Sequence, residues 1–517
     1  MSSTTANRAD RRTARLANPD RLPFGRLLAW AGAGLSAGAN FIVLSYLTMY
    51  ATDTLHLTPI AIGTVIAIGT LANAVFGFVA AWIVDRSPET RWGKARPYEL
   101  AVPLLWLATG FLFSVPSSWG DAGKIGWIAA VFLVLKAIAA PLLGANDVLY
   151  MARAFPNRMV YAKVQTRAGI ITALGAIAVS TSLPVLLNMA GKSPTGWSRV
   201  IMGYAFVLAI LGLSRGIFVD EKFRAEAGEE QVKVRDMVDA LKVNTWIWLL
   251  FGMLFFSQAV VGANVGSYYF RYIVGNLGIQ GILAPIGIVL LPLLLVVPRL
   301  MRKYPVSQII LGGAISGVIG GIILMLAGTS IPLLIVGSLF TSIGALPISY
   351  LGVVMILDLA TYNESLGKRR LESTLGAIVG IAGSIGAAVA AQAVGAIMSG
   401  TGYDGKLDQQ GALATTAIRY MYGGAYVLGF AFIVFFMFLF MRFEKTVLPG
   451  AQAKVADLRQ AKGLTATGAV DTNADGVVTA DEVPLPPLTT SAQGMPTHAD
   501  PTNATGPTRM AEDDPAR

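Results

Sequence analysis

Asp85–Tyr98 reads D-R-S-P-E-T-R-W-G-K-A-R-P-Y and lies between two long apolar runs. Arg86, Arg91, Lys94 and Arg96 crowd there beside Asp85, Pro88, Gly93 and Pro97. A charged turn this short, between runs long enough to cross a bilayer, reads as a cytoplasmic hairpin joining two membrane-spanning helices.

Working outward, the composition agrees. The chain is 54% hydrophobic and 14% charged, with a mean hydropathy of +0.60, which excludes a water-soluble globule. The apolar runs are too long and continuous for barrel strands, so the fold class is an all-α membrane protein. Spans are expected at roughly 25–50, 57–84, 99–118, 125–152, 166–189, 198–218, 245–272, 279–299, 306–327, 331–358, 373–398 and 415–441, twelve helices in all.

The connections differ in charge. Those after even-numbered spans hold Arg86, Arg91, Lys94 and Arg96, then Arg153, Arg158 and Lys163, then Lys222, Arg224, Lys233, Arg235 and Lys242, then Arg302 and Lys303, then Lys368, Arg369 and Arg370. The opposite connections carry little beyond Lys124, Lys192, Arg199 and Lys406. By the positive-inside rule both termini are cytoplasmic, in a multi-pass protein of the cell membrane. The same loops account for the net charge of +10, so no nucleic-acid partner is expected. With no cysteine and only His56 and His498, thiol chemistry and a histidine metal site are excluded. A membrane enzyme would have only scattered carboxylates to work with.

The domain expectations are a cytoplasmic tail over 1–24, six helices over 25–218, a cytoplasmic loop over 219–244, six more helices over 245–446, and a polar, mostly disordered tail over 447–517. Val234, Met237, Val238 and Leu241 recur at helical spacing in the central loop and predict an amphipathic helix on the inner surface. After the eighth span Pro298, Arg299, Arg302, Lys303 and Pro305 echo the first hairpin. Two matching six-helix halves suggest a duplicated transporter, in which substrate binds near the midplane between rocking halves.

Three stretches carry a family resemblance: the hairpin itself, D-L-A-T-Y-N-E-S-L-G-K-R-R-L-E-S from Asp358 to Ser373, and G-T-G-Y-D-G from Gly400 to Gly405. Together, over residues 22 to 446, they resemble the glycoside-pentoside-hexuronide:cation symporters, the melibiose-permease-like branch of the major facilitator superfamily. The resemblance implies twelve helices in two halves and import of a glycoside or small oligosaccharide with a cation.

Inside the expected spans Asp147, in G-A-N-D-V-L-Y, is the foremost candidate, because a carboxylate at membrane depth needs a cavity or a partner. Arg167 at the start of the fifth span is its nearest expected partner, and by resemblance the two match the family's sugar-binding acid and arginine. Asn146 and Tyr150 would add amide and aromatic contacts for a sugar. Tyr268, grouped with Gln258, Asn264 and Tyr269, is a candidate from the second half; for each of these a helix–helix bond is the competing role. Asp85, Arg86, Arg91, Lys94 and Arg96 would form and break contacts at a cytoplasmic gate, or only set topology and helix ends.

Departures from the family weigh against sodium as the coupling ion. Where it has two acids in the second span this chain has Asn73 and Gly77; in the first span Asn40 is the nearest polar group; the eleventh has Gly383 and Ser384 in place of a lysine. Sodium prefers a cage of oxygens that includes a carboxylate, so a proton carried by Asp147 is the expected driver. Two retreats stay open, a facilitator without a cation and a carrier of a non-sugar amphiphile. Lys136, in the fourth span, is free either to snorkel outward or to pair across the bundle.

In the tail Asp471, Asn473, Asp475, Val477, Thr479 and Glu482 fit the twelve-position calcium loop, with Gly476 at the turn. Pro484, Pro486 and Pro487 deny it an exit helix, and a calcium-responsive membrane sensor would rest on this loop alone. The expected partners are the lipid bilayer and a small glycoside, and the expected state is a monomer.

Overall fold

The computed structural model describes residues 24–155, 158–221, 242, 244–283, 285–286, 296–297, 299–367, 372–461, 489–491 and 495–497. Helix α1 covers Phe24–Leu44 and continues through Leu47–Met49 into a π-helical turn, Tyr50–Thr54. Helix α2 is Pro59–Arg86, opened by a proline at its first turn and ended before Pro88, where Ser87 turns extended. A 3-10 turn, Arg96–Leu100, leads into α3, Ala101–Leu112. Helix α4 joins Asp121–Leu133 to Ala140–Ala154 through a π-turn at Val134–Ala139. Then come α5 (Arg158–Ala190) and α6 (Pro194–Phe218). Helix α7 is broken, Ile247–Ala263 and Gly266–Tyr272, at Asn264, which takes a left-handed φ of 43°. Helix α8 is described at Gly278–Leu283, followed by α9 (Val306–Ala327), α10 (Ile331–Ser365), α11 (Glu372–Gly400) and α12 (Ala412–Arg442).

Among the described residues, ten helices are long and apolar enough to cross a membrane. Of the other two expected spans, the third is the short α3 with its 3-10 entry, and most of the eighth lies outside the described residues. A π-turn at Phe443–Val447 carries α12 on into α13, Leu448–Ala461, whose Leu448, Ala451 and Val455 form one buried stripe, and α13 packs on α10. The polar composition hid a stripe of only three small or medium apolar residues. The central-loop helix expected around 234–241 and the calcium-type loop 471–482 lie outside the described residues. Two three-residue strands, Thr489–Ser491 and Met495–Thr497, pair antiparallel.

Packing repeats between halves. α1 packs on α5 and α6 as α7 does on α11 and α12; α3 packs on α6 as α9 does on α12. The halves meet through α2 against α11 and α5 against α8, two contacts that the same repeat exchanges. Both are close backbone approaches: an added Cβ at Gly63 of α2 would meet Ala391 O of α11 at 2.8 Å, and one at Gly281 of α8 would run into Thr181 O of α5. One buried apolar cluster therefore runs through the first half into Tyr268, Tyr269 and Tyr403 of the second, and another fills the second half around Ile310, Met355 and Met437.

The hairpin Asp85–Tyr98 is locked onto the end of α6. Thr90 and Gly93 bond reciprocally across Arg91 and Trp92. The backbone N–H groups of Lys94, Ala95 and Arg96 then donate to the Glu221 carboxylate at 3.0, 2.9 and 2.8 Å. The second half repeats the device, with Val306 and Ser307 N–H donating to Glu444 at 2.6 and 2.9 Å. In each half an acid just past the sixth helix satisfies the free N–H groups at the entry to the third. Gly93 has φ 103°, and a Cβ there would enter the Glu221 carboxylate. Gly93→Ala is expected to cost about 1–3 kcal/mol and displace Glu221. Thermal unfolding in detergent checks this against Gly120→Ala, whose Cβ meets nothing within 4 Å.

Candidate transport site

Asp147 sits two turns before the end of α4 with its side chain 58% exposed, and its carboxylate is held by Arg215 of α6. Arg215 is 7% exposed and also grips Glu99 at the α3 entry, Nη2 to Oε1 at 2.7 Å and Nε to Oε2 at 3.2 Å. Its guanidinium lies over the rings of Trp30, 5.2 Å away, and Tyr150, 5.0 Å away. Asn146 donates to Glu99 at 2.7 Å, and the Tyr150 hydroxyl donates to the Val219 carbonyl at 2.6 Å. Asn146 and Tyr150 thus belong to the buried support of this network rather than to an open surface.

The expected pair of Asp147 with Arg167 is corrected. Arg167 is exposed, and no hydrogen bond or ion pair joins it to Asp147, because α5 packs on α1, α6 and α8 instead of lying along α4. The signal available in the sequence was an acid at the start of the third span, Glu99, and a base in the last turn of the sixth, Arg215; neither looks unusual at a helix end. Asn40 is buried and donates to Thr109 Oγ1 at 2.6 Å, tying α1 to α3. Asn73 is half-buried in α2. Of the hairpin charges, Arg96 reaches Asp220 at 2.6 Å and the Val219 carbonyl at 3.2 Å; Arg86 and Arg91 lie over Trp82 and Trp92. Lys94 contributes its backbone N–H to Glu221, and Asp85 lies in the last turn of α2. The contacts of Arg86, Arg91 and Arg96 stay inside the first half.

On the side opposite the basic loops the halves are sealed by polar bonds. Asp53, 2% exposed in the π-turn of α1, accepts from Tyr403, from Tyr272 at 2.7 Å and from Thr52 at 3.0 Å, with Arg271 at 3.5 Å. Tyr268 bonds Thr52 at 2.8 Å, the helix–helix role that competed with a place beside a cavity, and is part of this seal. Tyr403 lies outside the spans, and burial and then the Asp53 carboxylate push its phenol well above the usual tyrosine range, so it remains a donor. Around this centre Asn264 donates to the Ser45 carbonyl, Lys192 bridges to the Leu407 carbonyl at 2.9 Å and Asp408 at 3.0 Å, and Thr64 donates to Gln392 at 3.0 Å. On the basic-loop side the bonds of Glu221, Asp220, Glu444 and Asn244 each stay within one half. Among the described residues no group of three or more His, Cys, Asp or Glu is placed to hold a metal ion.

The family profile described as MFS/sugar transport protein matches residues 31–445. The isoprimeverose transporter of Lactiplantibacillus pentosus is 22% identical over 426 residues, 79% of this chain and 87% of that protein. The uncharacterized symporter YnaJ of Bacillus subtilis (strain 168) is 25% identical over 398 residues, 73% of this chain and 84% of its own. The crystal structure of a D-xylose–proton symporter superposes with a TM-score of 0.58 at 16% identity, covering 79% of this chain and 97% of that one, a likeness of fold.

Proposed function

The chain belongs to the MFS/sugar transport protein family, and on that premise we propose that it imports a glycoside or small oligosaccharide across the cell membrane by alternating access, driven by a proton. It is a multi-pass membrane sugar transporter with the major facilitator fold. The observation that supports the finer reading is the polarity of contact between halves: polar bonds between halves gather on one side, and the described bonds of the basic-loop side stay within one half. With the basic loops in the cytoplasm, this is a state sealed to the outside and facing in. Breaking the Asp53 cluster and closing the other side would complete a cycle.

Asp147 is the acid we assign to the proton. It is exposed toward the basic-loop side while tied to Arg215, so taking up a proton would release Arg215 to Glu99 alone and loosen α4 from α6. That tie also favours a second reading, because a carboxylate already satisfied by arginine has no need of a proton: transport would then be facilitated diffusion. Arg167 and Asn73 remain the partly open polar groups proposed for cargo; Asn40, Asn146, Tyr150 and Tyr268 are occupied by protein bonds in this state.

The test is uptake into proteoliposomes under a proton gradient, a sodium gradient or neither, with isoprimeverose, the sugar named for one relative, as the first cargo. Concentrative uptake with protons, abolished in Asp147→Asn while equilibrative exchange persists, is the expected result. Uptake that only equilibrates under every condition supports the facilitator, and no uptake of any sugar supports an amphiphile as cargo.

A further inference from the structure

The charges of the membrane-spanning helices gather at helix ends, with Lys136 as the exception. Aspartates and glutamates there lie within about two turns of an end, Asp147 and Asp358 being the farthest in. Lys136 is at the midpoint of the span Asp121–Met151, inside the π-turn of α4. No carboxylate exists at that depth for it to pair with. Its ammonium lies 5.7 Å from the ring centre of Phe132, one turn back, and has no hydrogen bond or ion pair among the described residues. A phenyl ring is a weak substitute for an anion.

What faces Lys136 follows from the packing of α2 on α4, two helices that run in the same direction. A Cβ on Gly69 would strike the ring of Phe132, so those residues mark the closest approach. Asn73 is one turn beyond Gly69, and Lys136 is one turn beyond Phe132, on the same faces of parallel helices. The ammonium and the amide therefore share one depth, and Asn73 likewise makes no hydrogen bond among the described residues. A charge at mid-membrane marks a functional position by default, and mid-depth is where alternating-access carriers hold cargo and coupling ions. A π-turn at this point matches the habit of such turns to occur at functional sites.

We propose, resting on the reading of the chain as a transporter, that Lys136 is the fixed cation of the transport site: its ammonium, with Asn73 beside it, donates to an oxygen of the cargo and shuts metal cations out of mid-membrane. An ammonium offers three donors to hydroxyl, carbonyl or carboxylate oxygens. A sodium ion at the same depth would meet a like charge in a low-dielectric setting and no carboxylate to offset it.

Two measurements on the full-length protein test this. The first needs no cargo: thermal unfolding in about 100 mM sodium chloride against choline chloride, since a bound ion raises stability by mass action. The wild type is expected to melt alike in both, and Lys136→Asp to gain a sodium-specific stabilisation; wild-type protein stabilised specifically by sodium overturns the proposal. The second is uptake of isoprimeverose, with KM expected to rise about tenfold or more in Lys136→Met and to stay within about threefold of wild type in Lys136→Arg. Lys136→Met with a wild-type KM overturns the contact with cargo. Failure of the sugar reading shows instead as no uptake by the wild type, and the sodium comparison then still decides the role of Lys136.

Discussion

Asp53→Ala is expected to unseal the side of the protein opposite the basic loops. The carboxylate is the shared acceptor for Tyr272, Tyr403 and Thr52 and the counter-charge for Arg271, and all but Thr52 belong to the other half. Removing it leaves the buried Tyr403 and half-buried Tyr272 hydroxyls with only their mutual 3.2 Å bond and takes the Asp53 charge from Arg271, but only while the halves are closed; once they part, water satisfies every one of these groups. The loss therefore falls on one state. At about 2–4 kcal/mol for the stranded donors, the closed-to-open ratio shifts by about 30- to 1,000-fold.

The chain contains no cysteine, which makes the measurement clean. Ser267, 2% exposed with its hydroxyl unpartnered in the seal, is replaced by cysteine as the sole thiol. Labelling by an impermeant maleimide from the sealed side is expected to be slow in that background and at least about 30-fold faster when Asp53→Ala is added. Asp53→Asn, which keeps an acceptor and drops the charge, should fall between. Equal labelling rates in all three would mean that the apolar contacts of Tyr268, Tyr269 and the α2–α11 approach hold the seal unaided.

The second large effect is expected at Arg215. Arg215→Met leaves Glu99, 1% exposed, as a buried carboxylate with only Asn146 to bond it. Breaking a buried pair from one side costs about 3–5 kcal/mol, whereas replacing both partners by neutral groups of similar volume is often tolerated. Folded yield and melting temperature should therefore fall sharply in Arg215→Met and recover in the double variant Glu99→Gln with Arg215→Met. Asp147→Asn should cost far less stability, because its carboxylate is 58% exposed and water already screens its bond to Arg215. A double variant as unstable as the sum of the two single changes would refute the pairing.

These two predictions rest on residues that the sequence leaves inconspicuous. Glu99 and Arg215 stand at span ends, where charges are ordinary, 116 residues apart. Asp53 stands in the far-side end of the first span for the same reason. Arg167, by contrast, looked like the partner of Asp147 because the fifth span follows the fourth, yet α5 spends its packing face on α1, α6 and α8. Tyr268 carries the same lesson: its composition suits a sugar, and its position commits it to Thr52.

What the sequence determined by itself is everything that lipid enforces locally. Helix is the only spanning structure for these runs, ten helices among the described residues are long and apolar enough, and basic residues alternate by connection, so fold class, halves and the polarity of the loops follow from windows of about twenty residues. Glu221 and Glu444, each just past a sixth helix, repeat one device because the halves repeat. What only the tertiary structure decided is which charge meets which, and which side is closed. Those choices depend on the neighbours each helix acquires in three dimensions, and the open and closed arrangements share the same spans, loops and buried stripes. In the proposed cycle they are told apart by a cluster such as Asp53 with Tyr272 and Tyr403, whose members come from three separate stretches of chain.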